Sequence, residues 1–235
     1  MSTIKNIKVF STNEHPCSYL PGREATTLFV DPNIEVTEQI YSQLNNLGFR
    51  RSGKHLYLPH CNNCQDCIAT RVIVQEFQPG RRHRRVIKAN SDIKIKTIDC
   101  IDNARFYDLY QRYISARHPE GDMHPPSREQ YMQFIGNTSN FSTYLTMWVN
   151  GELLSVTVLD QLPEGYSAIY TFFDPTQDKR SLGVFSILTA IDLARQADFD
   201  YVYLGYWIRE CQKMAYKIEY KPIELLINGR WQRLL

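Results

Sequence analysis

Cys61, Cys64 and Cys67 recur at two-residue gaps in Tyr57-Leu-Pro-His-Cys-Asn-Asn-Cys-Gln-Asp-Cys-Ile68, and Arg81-Arg-His-Arg-Arg85 follows within twenty residues. Thiolates at such gaps can be turned onto one soft ion by a tight turn. Five cations within eight residues, Arg81, Arg82, Arg84, Arg85 and Lys88, repel one another unless a polyanion is near. The chemistry implied is metal ligation beside phosphate binding. Cys17, in His15-Pro-Cys-Ser-Tyr-Leu20, lies in the same turn-rich region and completes a set of four thiols suited to zinc or an iron–sulfur cluster. The alternative is four free thiols packing a small core. Cys100 and Cys211 have no partner in sequence and read as small apolar groups. A second phosphate signal is Arg180-Ser-Leu-Gly183-Val-Phe185 at a helix start, where free amides and a partial positive charge meet a glycine that lets an anion approach. A basic helix start with no ligand is the alternative there.

The net charge of +2 conceals a division. From Arg50 to Lys96, eleven Lys and Arg stand against Asp66, Glu76 and Asp92, while the rest of the chain holds sixteen basic and 22 acidic residues. A localised positive field is the footprint of a nucleic-acid partner, although a basic face can also be merely solvated. At 235 residues and 43% hydrophobic content the chain can bury one large core or two small ones. No apolar run approaches the ~18 residues of a membrane span. Met1-Ser-Thr-Ile-Lys5 lacks the features of a secretory signal, so no membrane partner and a cytoplasmic location are expected. In a reducing compartment six cysteines do not form a disulfide scaffold.

These residues must be positioned by elements that change character near residue 97. Before it the chain is rich in turns (Pro21-Gly22, Asp31-Pro32, Gly48, Gly53, Pro79-Gly80), with one helix from Thr37 to Leu47. After it a helix is expected from Asp102 to about Arg117, and a second opens at the capping box Ser127-Arg-Glu-Gln130 and closes at Gly136. Strands Phe141–Val149 and Glu152–Asp160 flank Asn150-Gly151, a strong hairpin signal, and Tyr166–Phe173 forms a third. A helix over Ser181–Gln196, a strand at Tyr201–Leu204, a short helix over Glu210–Lys217 and a hairpin about Asn228-Gly229 follow. The expected fold is α+β: a loop-rich, Cys-bearing, basic docking region over 1–96, then a mixed-sheet domain over 97–235. The order hairpin, strand, helix, strand resembles an acyltransferase of the N-acetyltransferase (GNAT) type. The Arg180–Phe185 loop is similar to that superfamily's pyrophosphate loop, with Phe185 in place of its final small residue.

Longer strings carry a more specific likeness: Tyr19-Leu-Pro-Gly-Arg-Glu-Ala-Thr-Thr-Leu28, Tyr41-Ser-Gln-Leu-Asn-Asn-Leu-Gly-Phe-Arg-Arg-Ser-Gly53, the thiol and basic runs, Tyr201-Val-Tyr-Leu-Gly-Tyr-Trp-Ile208 and Lys213-Met-Ala-Tyr-Lys217. Together they resemble the aminoacyl-tRNA–protein transferases of the N-degron pathway, and within that family the bacterial leucyl branch. The resemblance implies leucine transfer from leucyl-tRNA to proteins beginning with Asp or Glu. Arginyl-tRNA as donor, or an acetyl-coenzyme A-dependent reaction suggested by the Arg180 loop, are the alternatives. It makes Lys213 and Lys217, four residues apart on one helical turn, candidates for the substrate carboxylate or terminal phosphates, beside Tyr206, Trp207 and Tyr216. Asp174, ending the third strand, becomes the candidate carboxylate for the incoming amine, against the plain reading of Asp-Pro as a turn. Arg81, Arg82, Arg84, Arg85 and Lys88 become tRNA backbone contacts, and Arg180, Ser181 and Gly183 hold the acceptor-end phosphate. Tyr57, Phe77, Tyr206 and Trp207 are candidates to stack the terminal adenine. The chemistry requires no cofactor. Eukaryotic arginyl relatives bind metal through an N-terminal Cys-x-x-Cys, whereas Leu20 stands at the second position here.

Overall fold

The computed structural model describes residues 7–136 and 140–234. The first sixty residues give strands β1 (Val9–Ser11), β2 (His15–Pro16), β3 (Glu24–Ala25) and β4 (Thr27–Val30), helix α1 (Glu38–Asn46), and strands β5 (Arg50–Ser52) and β6 (His55–Pro59). β1, β4, β6 and β5 form a small antiparallel sheet in that order, and β2 pairs with β3 beside it. Thr37 opens α1 by accepting the Ile40 amide on its hydroxyl at 3.3 Å, which satisfies one of the unpaired donors of a first turn.

The remainder comprises β7 (Ile68–Ile73), α2 (Arg81–Ala89), β8 (Lys94–Ile98), α3 (Ala104–Arg117), α4 (Arg128–Tyr131) with a π turn over Met132–Gly136, β9 (Ser142–Val149), β10 (Glu152–Leu162) and β11 (Gly165–Phe173). Then come α5 (Leu182–Gln196), β12 (Tyr201–Trp207), α6 (Gln212–Ala215) with a 3-10 turn over Tyr216–Glu219, β13 (Ile223–Ile227) and β14 (Arg230–Leu234). One mixed sheet runs β14-β13-β7-β12-β11-β10-β9-β8. The expected boundary at residue 97 therefore does not separate two units. β7 lies between β12 and β13, and β8, an edge strand, runs across residue 97, so the chain before 97 supplies one strand of the large sheet and part of another.

Alternation along β12 shows how the layers share the sheet. Val202 and Leu204 pack with Phe185, Leu188 and Ile191 of α5, while Tyr203 packs with Ile40, Tyr41 and Leu44 of α1 on the other face. α3 joins that second face through Phe106, Leu109, Tyr110 and Ile114, packed on Val156, Val158 and Phe172. A buried ion pair ties the small sheet to the large one. Arg51 of β5 donates from Nε to Asp160 of β10 at 2.5 Å, and the same carboxylate accepts the hydroxyls of Tyr41 at 2.9 Å and Ser142 at 2.6 Å.

The basic run, not expected to be helical, forms α2. His83, Val86 and Asn90, at spacings of three and four, turn inward, and the five cations point outward. β11 and β12 are parallel, and they pair only at Gly165↔Tyr201, Tyr166↔Val202 and Ser167↔Tyr203 before parting. Gly165 is required at this join, because a Cβ there would lie 1.8 Å from the Tyr201 carbonyl oxygen. Just past the join β12 carries a register shift between Tyr203 and Gly205, with Gly205 at φ +79°, a left-handed conformation that suits glycine.

Candidate acyl-transfer site

Beyond Ser167 and Tyr203 the strands β11 and β12 no longer pair with each other, and side chains from several elements gather around this parting, termed the cleft. On the β12 side, Lys217 donates from Nζ to the Tyr206 carbonyl at 2.7 Å and to Met214 sulfur at 3.2 Å. Nζ lies 3.4 Å from where a Cβ on Gly205 would be. Burial, with a smaller push from Arg50, lowers Lys217 to about 8. On the β11 side, Phe173 packs on Tyr113 of α3 with ring centroids 4.9 Å apart, and a Cβ added at Gly183 of α5 would lie 3.5 Å from the Phe173 ring. Burial, then Lys213 and Arg117, keep the nearby His118 imidazole below its usual range. Lys213 thus lies near the end of α3.

Helix α2 links the segment that follows Lys217 with the start of α5. At its start Arg82 pairs with Glu219, and His83 stacks on Tyr220 with centroids 5.0 Å apart and planes 10° apart, two and three residues past Lys217. At its end the Asn90 amide donates to the Arg180 carbonyl at 2.8 Å, and Arg180 donates to the Ala89 carbonyl at 3.3 Å, at the threshold of α5. Arg81, Arg85 and Lys88 form an outward stripe at i, i+4 and i+7. Arg84 is also outward, and donates to the Pro79 carbonyl at 2.8 Å.

Several expected residues are placed differently from the sequence reading. Lys213 is exposed and Lys217 buried, because α6 tightens into a 3-10 turn after Ala215, so the two ammonium groups do not share a face. The Tyr206 hydroxyl is spent inside the protein, donating to the Gly48 carbonyl at 2.8 Å, and only its main-chain oxygen serves the cleft, through Lys217. Asp174 caps its own turn, accepting the Thr176 amide and hydroxyl at 3.0 and 2.8 Å and pairing with Arg112 at 3.2 Å. Partial burial raises its carboxyl, but Thr176 and Arg112 outweigh that and hold it below the usual range, which makes it a poor proton acceptor. The Arg180 guanidinium is committed to Asp92 at 2.7 and 2.8 Å, leaving the α5 amides beyond Ser181 as the anion-facing part of that loop. Of the suggested stacking residues, Phe77 is buried in the core and Tyr57 packs on Tyr206.

The thiols converge, but on a cavity and not on a point. Cys17, Cys61, Cys64 and Cys67 all line one opening of about 560 Å³ between the small sheet and the end of β12. Each of three sulfurs has its own protein partner: Cys17 accepts from the Leu20 amide at 3.4 Å, Cys61 meets the Thr26 carbonyl at 3.7 Å, and Cys64 meets Asp66 at 3.3 Å. Among the described residues no three His, Cys, Asp or Glu side chains are gathered closely enough to hold one ion. Burial, then the neighbouring Cys61, pushes the Cys67 thiol up to about 12.

Residues 15–85 match the N-terminal model, and residues 105–227 the C-terminal model, of arginine-tRNA-protein transferase. The chain belongs to that family. It is similar to the aspartate/glutamate leucyltransferase of Saccharophagus degradans, 49% identical over 233 residues and covering 98% of each chain. Those of Pseudomonas fluorescens (46% over 231 residues, 98% of each) and Pseudomonas syringae pv. tomato (47% over 234 residues, 100% of each) are similarly related. The chain is thus an aminoacyl-tRNA–protein transferase. Among solved structures it overlaps L-PGS of Bacillus licheniformis loosely, at a TM-score of 0.45 and 9% identity over 72% of this chain and 50% of that one.

One residue escaped the sequence reading: Arg50, buried with two of its nitrogens unpartnered. Nothing in Phe49-Arg-Arg-Ser52 distinguishes it from Arg51, since burial and partners are set by strands far away in sequence. The charge of the basic run was legible in the sequence, but its helical register was not.

Proposed function

We propose that the protein moves leucine from the 3′ end of leucyl-tRNA onto the N-terminal Asp or Glu of proteins, marking them for degradation, and that the cleft between β11 and β12 is where ester and amine meet. The amine nitrogen attacks the ester carbonyl, a C–N bond forms, the C–O bond to the terminal ribose breaks, and the amine's proton ends on the departing ribose oxygen. An activated ester needs alignment more than force. Holding the reacting atoms about 3–3.5 Å apart, and placing one donor on the tetrahedral oxygen at about 3 kcal/mol, supplies much of the rate.

The observation that carries this reading is the placement of α2. A cationic helix joined at one end to the segment bearing Lys217, and at the other to the start of α5, can hold a phosphate backbone across the mouth of the cleft. Arg81, Arg85 and Lys88 are its free contacts, Arg82 and Arg84 adding to the field. Ser181 and Gly183 offer α5 amides to the terminal phosphate, exposed Lys213 meets the acceptor end near the end of α3, and Lys217 provides the cation inside. The order of strands around the parting, β10-β11-β12 with α5 between the last two in the chain, supports reading it as an N-acetyltransferase-like acyl-transfer domain. Cys17, Cys61, Cys64 and Cys67 are the residues that would take a soft metal, and the transfer itself does not require one.

The test is transfer of labelled leucine from leucyl-tRNA to peptides beginning with Asp, Glu or Ala. The reading expects product with the first two only, and absence of product with both acidic peptides would defeat it.

A further inference from the structure

Four Arg or Lys side chains are buried among the described residues, and they divide into two kinds. Arg51 has Asp160 at 2.5 Å, and Arg71 has Glu224 at 2.6 Å. Arg50 and Lys217 have no carboxylate. Arg50 uses one terminal nitrogen for the Asn45 carbonyl, the Asn45 side-chain oxygen and the Phe49 carbonyl, while Nε and Nη2 have no partner. Lys217 has a carbonyl and a sulfur. Removing an ion from water without a counter-charge is among the costlier arrangements a fold can keep. Here two like charges lie close enough that Arg50 depresses the ionisation of Lys217.

The groups around them do not supply the missing anion. Those that face them are phenols and thiols, Tyr206, Tyr41, Tyr203 and Tyr57 around Arg50 and Cys211 and Cys67 around Lys217, and no carboxylate is among them. The pair nevertheless stands directly behind the thiol-bearing cavity. Tyr57 and Cys67 line that cavity, Tyr57 packs on Tyr206 at 6.0 Å, and the Arg50 guanidinium lies 5.8 Å from the Tyr206 ring centre. Ile208, another lining residue, is two positions past the Tyr206 carbonyl that holds Lys217. Lys217 Nζ also lies 3.4 Å from where a Cβ on Gly205 would be. Neither Lys217 nor Arg50 lines the cavity itself, and the two cations stand one layer behind its wall, by the end of β12. The rest of the cavity wall, including Leu20, Phe29 and Tyr57, suits a short extended peptide.

We propose that this cavity receives the first residues of the acceptor protein, and that the N-terminal side-chain carboxylate is selected by Lys217, with Arg50 holding the positive field behind it. The acceptor enters from the small-sheet face and the tRNA from the α2 face, so that amine and ester meet at the end of β12. A neutral Asn or Gln of the same shape leaves the two cations unanswered, and that difference is the source of selectivity. This assignment rests on the leucine-transfer reading and adds to it the residues that choose the acceptor.

The experiment compares kcat/KM for peptides beginning with Asp and with Asn, at saturating leucyl-tRNA, in the wild type, in Lys217→Met and in the cavity-filling Ala25→Phe, with Ala25 in the cavity wall. Lys217→Met is expected to lower the value for the Asp peptide at least about tenfold, the equivalent of 1.4 kcal/mol, to leave or raise that for the Asn peptide, and to leave the KM for leucyl-tRNA unchanged. Ala25→Phe is expected to raise the KM for both peptides and not for tRNA, and it keeps the test decisive if Lys217→Met does not fold. Equal loss for the two peptides in Lys217→Met, or a rise in the tRNA KM in either variant, overturns the assignment. A wild type that transfers no leucine to acidic peptides defeats the functional reading itself. Transfer by the wild type, with the Asp-to-Asn ratio unchanged in Lys217→Met and peptide KM unchanged in Ala25→Phe, defeats the cavity assignment alone.

Discussion

Lys217 is the residue where stability and function pull apart. Its ammonium is kept in a buried site beside another cation, and its ionisation falls from 10.5 to about 8. Between those two pH values the unfolded chain binds the proton that the folded chain has released, so stability rises with pH across that window and the penalty is full below it. Lys217→Met removes the penalty, and the variant's advantage over the wild type is expected to shrink by about 2 kcal/mol between pH 7 and pH 9.5 in urea unfolding. A constant difference would show that the site does not depress the ammonium. Asp174 sets the opposite expectation. A general base contributes about 10²–10⁴ in rate, whereas Asp174 is a turn cap tied to Thr176 and Arg112. Asp174→Asn is therefore expected to lower the melting temperature and to cost less than about tenfold in single-turnover leucine transfer. The sequence presented Lys213 and Lys217 as equals because their spacing is four. The change from α6 to a 3-10 turn, which sends one into the core and one to solvent, depends on packing against β12 and is not written in five residues.

At the level of elements, α2 carries the electrostatics. Its start and end are pinned by Arg82–Glu219 and Asn90–Arg180, so the stripe Arg81, Arg85 and Lys88 is presented on a fixed surface. Each phosphate contact adds about 0.7–0.9 to the slope of log affinity against log salt. Replacing Arg85 and Lys88 with Ala is expected to flatten that slope for leucyl-tRNA by about 1.5, without changing the KM for the acceptor peptide. An unchanged slope would remove α2 from the tRNA surface. The sequence showed the charge but not the helix. Five cations hid the inward set of His83, Val86 and Asn90, and only the stacking of His83 on Tyr220 fixes which face is buried.

For the whole molecule, the chain order after residue 97 was readable because hairpins and amphipathic helices are local: Asn150-Gly151, the Ser127 cap on the Gln130 amide at 3.1 Å, and the strand, helix, strand run through α5 all occur where the residues suggest. The insertion of β7 between β12 and β13 was not readable, since it joins residues about 130 and 150 positions apart. The two parts of the chain are consequently one structure, fastened by Arg51 and Asp160. Asp160→Asn leaves the buried Arg51 guanidinium without its counter-ion and is expected to cost about 3–5 kcal/mol in chemical unfolding, as a single transition. In the proposed reading, the same interlocking lets the two substrates reach one point from opposite faces of the large sheet. Amide hydrogen exchange of the protein with each substrate alone measures that arrangement most directly. The tRNA is expected to protect α2 and the first turn of α5, and a peptide beginning with Asp to protect the segments around Leu20, Tyr57 and Cys67. Protection of the thiol-bearing cavity by tRNA, with α2 unaffected, would contradict it.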